Sequence, residues 1–254
     1  MGGAAGLLGG LFGVGGGFII VPGLIAVAGM DRRLAHGTSM AATLPIAVGS
    51  VITYLVHGNV DFVVALFLTI GSMAGAVIGT HLLRIIPQRV LIIVFVVTVL
   101  ATAARLLVGS DSTGRGDLTL SMSVLLVLLG LATGVLSGLL GIGGGVVRVP
   151  AMIVVLDMGA AVAKGTSSAV IIPTAIVGTL RNRKHDNVDL RTAGIVGMFG
   201  AATAVVGGTI SDRLSDGLSN SLFAILLLAV AGSQLISLRS LNRTRAGGEA
   251  HAGH

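Results

Sequence analysis

Residues 13–22 read Gly-Val-Gly-Gly-Gly-Phe-Ile-Ile-Val-Pro, and residues 141–150, which lie 128 positions later, read Gly-Ile-Gly-Gly-Gly-Val-Val-Arg-Val-Pro. Both copies lie inside apolar sequence, where adjacent glycines and a proline are poor helix formers. The pattern predicts two membrane helices that are broken at corresponding positions. Paired breaks of this kind indicate the binding site of a membrane transporter. One difference stands out: Ile20 in the first copy is replaced by Arg148 in the second.

The composition predicts an all-α polytopic membrane protein. Of 254 residues, 54% are hydrophobic and 10% are charged, and the mean hydropathy is +1.01. A soluble domain carries about 25% charged residues, whereas the apolar runs here approach the roughly 20 residues that cross a bilayer. The net charge of +6 is spread over short loops and a tail, which excludes the clustered basic surface of a nucleic-acid-binding domain. Because cysteine is absent, disulfides, thiolate catalysis and cysteine-ligated metals are excluded.

The chain is an internal duplication. Aligned without a gap, residues 6–79 and 134–207 are identical at 29 of 74 positions, against about one in ten expected by chance for these residue frequencies. The shared motifs include Gly-Thr-Ser at 37–39 and 165–167, and Asn-Val-Asp at 59–61 and 187–189. The two halves are therefore homologous repeats.

We predict about eight membrane elements in two homologous repeats, each with a glycine-broken first helix. The elements lie near 4–28, 37–56, 62–82, 89–108, 120–156, 165–180, 191–210 and 219–238. As one helix, residues 120–156 would be about 55 Å long, so the glycines at 141–145 must turn the chain and leave a short helix near 146–156. The predicted domain plan is residues 1–108 for the first repeat, 109–118 for a polar linker, 119–238 for the second repeat and 239–254 for a basic disordered tail.

The basic residues give an orientation. With eight crossings, Arg181, Arg183, Lys184 and Arg191 face one side together with the linker and tail, whereas Arg32, Arg33 and Lys164 face the other. The positive-inside rule then places both termini in the cytoplasm. The first residues lack the positive n-region of a signal peptide, so they are assigned to the first membrane element. Whether the repeats are parallel or inverted is left open by the pattern.

The glycine runs and Arg148 are candidate anion ligands. A broken helix exposes backbone N–H groups and the positive end of its dipole, and both favour anions. The alternative role of the glycines is close helix packing, which small residues permit. An arginine inside a membrane segment is a functional candidate, because its guanidinium binds oxyanions bidentately. Alternatively, Arg148 snorkels to the interface or pairs with Asp157 or another acid.

Two further motifs have polar groups at helix starts. The hydroxyls of Thr38, Ser39, Thr166 and Ser167 line a polar site, cap their helices or bond back to helix carbonyls. Asp61 and Asp189 precede apolar runs, a position typical of an N-cap. His57 and His185 lie in the same loops and are candidates for proton coupling, because histidine titrates near neutrality. Enzyme motifs such as H-E-x-x-H and G-x-S-x-G are absent, so no catalytic residue, metal ligand or cofactor is predicted.

The duplicated G-[VI]-G-G-G-x-x-x-V-P run, the later G-T-S and the N-V-D resemble the TauE/SafE family of sulfite and organosulfur-anion exporters. The resemblance covers Gly6 to about Gln234 and implies about eight membrane segments in two repeats, in the bacterial inner membrane. A basic residue in the second glycine motif is usual in that family, and Arg148 occupies its position. The implied partners are a small sulfur-containing anion and the lipid bilayer.

These observations lead to the hypothesis of a secondary transporter that exports a small sulfur-containing oxyanion, with protons as a candidate coupling ion. The alternatives are an anion channel and a membrane accessory protein without transport of its own. The predicted substrate-binding residues are Gly15, Gly16, Gly17, Thr38, Ser39, Gly143, Gly144, Gly145, Arg148, Thr166 and Ser167.

Overall fold

The computed structural model describes residues 1–82, 119–140, 144–215 and 217–232, together with five helical positions between 93 and 104. Gly143, the predicted linker at 109–118, the predicted tail at 239–254 and most of the predicted element at 89–108 lie outside the described residues.

The described chain is helical, as predicted. The helices are α1 (Gly2–Phe12), α2 (Gly17–Ala28), α3 (Arg32–Val56), α4 (Phe62–Leu82), α5 (Leu120–Leu140), α6 (Gly145–Leu156), α7 (Ala160–Arg183), α8 (Leu190–Arg213) and α9 (Gly217–Gly232). Within the described residues, five of them are long and apolar enough to cross a membrane: α3, α4, α5, α7 and α8. The fold class is therefore that of a polytopic α-helical membrane protein.

Each repeat begins with two helices that flank the glycine run and form a hairpin. At the tip of the first hairpin, Gly13, Gly15 and Gly16 have φ values of 65°, 76° and 74°, a region that glycine enters without steric penalty. Helix α2 then runs back along α1, because Gly16 lies against Ala5. In the second hairpin, Gly144 has φ 72° and α6 starts at Gly145. The short helix predicted near 146–156 is confirmed.

The two repeats are interlocked. Helix α1 packs along α8, and α5 packs along α4, so the first helix of each hairpin lies against the other repeat. Glycines make these contacts: an added Cβ at Gly2, Gly6 or Gly10 would collide with α8, and one at Gly71, Gly75 or Gly79 with α5. In both pairs the contacts advance in the same direction along the two chains. Each pair is therefore parallel and closely packed through small residues.

The repeats are inverted with respect to each other. The equivalent helices α3 and α7 pack antiparallel, since Met40 near the start of α3 contacts Gly178 near the end of α7. Further along, Ala47 packs with Ile171. Equivalent helices that run in opposite directions are related by an axis in the membrane plane. This contact pattern answers the question that the sequence left open.

Inversion defines two ends of the bundle. The Arg32 end contains the starts of α3 and α8 and the end of α7, because the Asp189 N–H bonds to Thr38 at 3.0 Å. The His57 end contains the end of α3 and the starts of α4 and α7, because the Asp61 N–H bonds to Thr166 at 3.0 Å. Each hairpin returns the chain to the end where it began. The prediction that Arg32 and Arg33 face away from Arg181–Arg191 is therefore wrong.

Candidate functional site

The tips of the two hairpins meet inside the bundle. A Cβ added at Gly145 would lie 2.6 Å from Cα of Val14 and 2.9 Å from the carbonyl oxygen of Gly13. One at Gly15 would lie 2.6 Å from the methyl group of Thr43. A side chain at Gly145 would push the tips apart, and one at Gly15 would push the first tip away from α3. The glycines therefore permit both the turn of the chain and the close approach of the two hairpins.

Two helix N-termini begin where the tips meet. In α2 the N–H of Ile20 bonds to the Gly16 carbonyl at 3.2 Å, and in α6 the N–H of Arg148 bonds to the Gly144 carbonyl at 2.9 Å. The N–H groups of Ile19 and Val147 bond to the same two carbonyls at 3.0 and 3.2 Å. The first two N–H groups of each helix come before these bonds and have no intrahelical acceptor. These amides and the helix dipoles give the region a positive potential. This arrangement suits the predicted anion site.

Arg148 is a buried cation of this region, with 0% of its surface exposed. Its Nη2 donates to Ser72 Oγ at 3.1 Å, whereas Nε and Nη1 have no hydrogen-bond partner in the described part of the chain. Those two nitrogens carry three of the five guanidinium N–H groups. Full burial excludes snorkelling, and among the described residues no carboxylate pairs with Arg148. Within the described residues, most of the guanidinium N–H groups are therefore unused, and a ligand role for Arg148 stays a prediction.

A second hydroxyl borders the same space. A Cβ added at Gly144 would lie 3.1 Å from both Arg148 Nη2 and Ser137 Oγ. Ser137 is buried, and its hydroxyl has no partner among the described residues. Ser72 in turn donates to the Gly130 carbonyl at 3.1 Å, which orients its oxygen toward the guanidinium. We call Arg148, Ser72, Ser137 and Gly144 the Arg148 cradle.

The cradle exists in only one of the two equivalent places. The repeat alignment pairs Arg148 with Ile20, Ser72 with Gly200 and Ser137 with Gly9. Ile20 is fully buried in an apolar cluster that includes Ile46, and Ile46 also fills the space beside Gly200. All three polar side chains of the cradle are thus missing at the symmetry-related position. Their joint appearance on one side is a signature of a site rather than of the shared scaffold.

Comparison with known proteins agrees with this architecture. The family model described as Sulfite exporter TauE/SafE matches residues 1–106 and 126–253. The chain belongs to the TauE/SafE family. A probable membrane transporter protein of Xylella fastidiosa (strain Temecula1) is 29% identical over 238 residues, which cover 90% of this chain and 91% of the relative. YjnA of Bacillus subtilis, also a probable membrane transporter protein, is 26% identical over 249 residues, or 93% and 97% of the two chains.

The protein is therefore a multi-pass membrane transporter of the TauE/SafE family. No solved structure gives a significant match to the chain. The family resemblance found in the glycine, G-T-S and N-V-D motifs is thereby confirmed.

The G-T-S motif of this TauE/SafE member joins the repeats. The Thr38 hydroxyl accepts the N–H of Asp189, and the Thr166 hydroxyl accepts the N–H of Asp61. Asp61 and Asp189 cap α4 and α8 with their carboxylates, as predicted. The Thr192 hydroxyl and the backbone N–H bonds lower the pKa of Asp189 below its ordinary value. A substrate role for the Thr38 and Thr166 hydroxyls stays a prediction, as does one for Ser39 and Ser167, which are also buried.

Three residues near the tips were not found from the sequence. Ser72 and Ser137 are single serines in apolar helices, and their only signal is that the other repeat has glycine at both positions. Lys164 was assigned to a loop, yet it is 1% exposed. Its Nζ donates to Ser219 Oγ at 2.6 Å and lies 5.6 Å from the ring centroids of Phe12 and Phe223. Its position in the first turns of α7, against the first hairpin tip, explains its burial.

Proposed function

We propose that this protein is a secondary transporter that exports a small sulfur-containing oxyanion, such as sulfite or a sulfonate, across the bacterial inner membrane. The observation that carries the proposal is the Arg148 cradle. It places a fully buried guanidinium, with three N–H groups unused among the described residues, beside a buried hydroxyl that also lacks a partner there. The family described as sulfite exporters supports the substrate class.

The chemistry of the cradle matches an oxyanion. A buried charge without a counter-charge is unfavourable, and a bound anion would supply that charge. The Nε and Nη1 groups donate to anion oxygens, and charge-assisted bonds of this kind are about twice as strong as neutral ones. The Ser137 hydroxyl adds a donor, and Ser72 holds Nη2 in place. The first-turn amides of α6 extend the positive surface.

Transport would move two units that each combine helices of both repeats. Because α1 packs on α8 and α5 packs on α4, the sequence repeats themselves do not separate as bodies. We assign α1, α2 and α8 to one unit and α4, α5 and α6 to the other. The contact between Gly145 and the Gly13–Val14 segment then lies at the boundary between the two units. Movement at this boundary would open the site to one side of the membrane and then to the other. The membrane potential or protons would drive the cycle, since the sequence contains no phosphate-binding loop.

The basic residues favour a cytoplasmic Arg32 end. Six basic side chains of the described residues belong to that end: Arg32, Arg33, Arg181, Arg183, Lys184 and Arg191. The other end has Arg213, with Lys164 buried. The positive-inside rule then places the His57 end outside. Helix α9 begins near Lys164 at the His57 end and runs inward, which is consistent with a cytoplasmic C-terminus.

Transport by purified protein in liposomes tests the proposal. Labelled sulfite, sulfate, thiosulfate and sulfoacetate are offered separately, with and without a pH gradient. We expect saturable transport of one of them by the wild type and its loss in Arg148→Met, which keeps an unbranched side chain but removes the charge. Ile20→Val, at the equivalent position of the other repeat, is the matched control and retains transport.

Two results would contradict the proposal. One is transport by Arg148→Met at the wild-type rate, and the other is wild-type protein that moves none of the four anions. Flux far above the rate of a conformational cycle would instead identify an anion channel.

A further inference from the structure

Each ring nitrogen of His57, at the end of α3, lies within hydrogen-bonding distance of an acceptor oxygen. Its Nδ1 lies 2.7 Å from the Thr53 carbonyl oxygen, and its Nε2 lies 3.1 Å from Oδ2 of Asp212 near the end of α8. The two side chains of this pair are 35% and 32% exposed, so water reaches them. Helices α3 and α8 are thus joined at the His57 end through one imidazole ring.

Only the protonated ring satisfies both acceptors. A neutral imidazole has one N–H and can donate to either Thr53 or Asp212, whereas the imidazolium has two. The imidazolium also carries the charge opposite to that of the Asp212 carboxylate. Of the two bonds, the one to Thr53 lies within α3 and the one to Asp212 joins α3 to α8. Protonation strengthens the α3–α8 connection by adding the charge, and it lets the ring keep the Thr53 bond at the same time.

The same connection reaches the first hairpin tip. Ser211 precedes Asp212, and its Oγ lies 3.4 Å from the hydroxyl of Tyr54. Tyr54, one turn before His57, donates to the last-turn carbonyls of α1, with its oxygen 2.9 Å from Gly10 O and 3.2 Å from Leu11 O. Carbonyls in the last turn of a helix have no intrahelical donor, so Tyr54 supplies one. The residues that follow form the hairpin tip.

We propose that His57 is a proton-binding site of the transporter and that its protonated form latches the first hairpin. Thr53, Tyr54, His57, Ser211 and Asp212 form this latch. With the proton bound, α3 and α8 hold the end of α1 through Tyr54 and Ser211. When the ring loses its proton at higher pH, its bond to Asp212 loses the ionic contribution and the tip is released. The effect on transport rests on the proposed function, whereas the effect on the tip does not.

Other charges near the ring are few. Helix α8 contributes Asp212 and Arg213, the α3–α4 connection contributes Asp61, and α7 contributes the buried Lys164, which donates to Ser219. Helix α1 contains no ionisable side chain. The Asp61 carboxylate accepts the N–H groups of Val63 and Val64. Within the described residues, His57 is the histidine of this end.

The equivalent place in the other repeat differs in its described residues. The alignment pairs Tyr54 with Asn182, whose side-chain amide bonds at 2.9 Å to Gly178 in its own helix. His185 is the counterpart of His57 and provides a matched control from the same chain.

The absence of cysteine allows a direct test by labelling. A single cysteine at Leu11 in liposome-embedded protein is reacted with a water-soluble maleimide from about pH 5 to pH 8. Each rate is divided by that of the unfolded protein at the same pH, which removes the titration of the thiol itself. We expect the relative rate to rise about three- to tenfold with pH, the change that fits one exposed ion pair with a charged hydrogen bond.

Three variants complete the test. His57→Gln should react fast at every pH, Tyr54→Phe should react faster than wild type at low pH, and His185→Gln should keep the wild-type profile. A flat profile in the wild type, or an unchanged profile in His57→Gln, would overturn the proposal. Loss of the profile in His185→Gln would do the same.

Transport at varied pH on the His57 side is then measured with the same variants. We expect the rate to increase with pH in the wild type and to be independent of pH in His57→Gln. If no anion is transported, the proposed function fails, while the labelling result still decides whether the latch exists.

Discussion

The second hairpin ends beside a buried arginine, whereas the first hairpin, with the same glycine run, ends beside Ile20. Both hairpins turn at glycines of positive φ and pack their first helix on the opposite repeat. The difference lies in three side chains, Arg148, Ser72 and Ser137, which have apolar or glycine counterparts. The comparison shows that the two repeats share a scaffold and that a few substitutions on one side of the axis form the Arg148 cradle.

The two ends of the bundle differ in a similar way. At the His57 end, Tyr54 and Ser211 connect α3 and α8 to the end of α1. At the Arg32 end, Asn182 bonds within its own helix instead. Thr38 and Thr166, by contrast, make the same 3.0 Å contact in both repeats. Symmetric contacts hold the fold together, and the asymmetric ones are the candidates for function.

Placing an arginine in the first hairpin should have the largest effect of the changes that test this difference between the hairpins. In Ile20→Arg the guanidinium would be buried where the equivalents of Ser72 and Ser137 are glycines, so no hydroxyl would receive it. Leaving a buried charge without a partner costs about 3 to 5 kcal/mol. We expect a large loss of thermal stability in detergent, measured by fluorescence-detected size exclusion after heating. Ile20→Val is the control, and wild-type stability of Ile20→Arg would show that the first hairpin already accepts a charge.

Disturbing the contact between the two hairpin tips should have the next largest effect. Gly145→Ala would place a methyl group 2.6 Å from the backbone of Val14, and such overpacking costs about 1 to 3 kcal/mol. We expect lower thermal stability together with impaired transport. Gly194→Ala, where the added methyl group meets nothing within 4 Å, should be neutral or stabilising. Equal stability of the two variants would contradict the meeting of the tips.

Thr38 and Thr166 test the contacts that the two repeats share. Thr38→Val and Thr166→Val each leave one backbone N–H without its acceptor, so each should lower the free energy of unfolding by about 1 kcal/mol. The two losses should be similar and anion affinity should stay unchanged. A specific loss of affinity in either variant would instead support the predicted substrate role of these hydroxyls. Thermal unfolding and anion binding, measured on the same preparations, distinguish these outcomes.

Ser137→Ala should have the smallest effect of these variants. It also distinguishes most clearly between a role of this hydroxyl in anion binding and a role in stability. Its hydroxyl has no partner among the described residues, so removing it should leave stability unchanged. Losing one neutral donor to a bound anion should weaken affinity by about two- to tenfold. Ser50→Ala removes another buried hydroxyl that lacks a described partner and should leave affinity unchanged. A stability loss in Ser137→Ala, without a loss of affinity, would remove Ser137 from the cradle.

Much of the site could be predicted from the sequence, because the relevant signals are local. Adjacent glycines inside apolar runs predicted the hairpin turns, and one arginine in such a run predicted the cation of the cradle. Ser72 and Ser137 could not be found in this way, because a lone serine is common in membrane helices. Lys164 was missed because its burial depends on Phe12 and Phe223, which other helices contribute.

By itself, the sequence determined the helices, the duplication, the two breaks and the two helix caps. These features depend on hydropathy and on backbone preferences within a few residues. Only the tertiary structure decided the inverted direction of the repeats, the packing of each hairpin on the opposite repeat and the place where the tips meet. Those properties depend on contacts such as Thr38 with Asp189, which are 151 residues apart. Such contacts form when small residues let distant helices pack closely, and no local pattern specifies which helices those are.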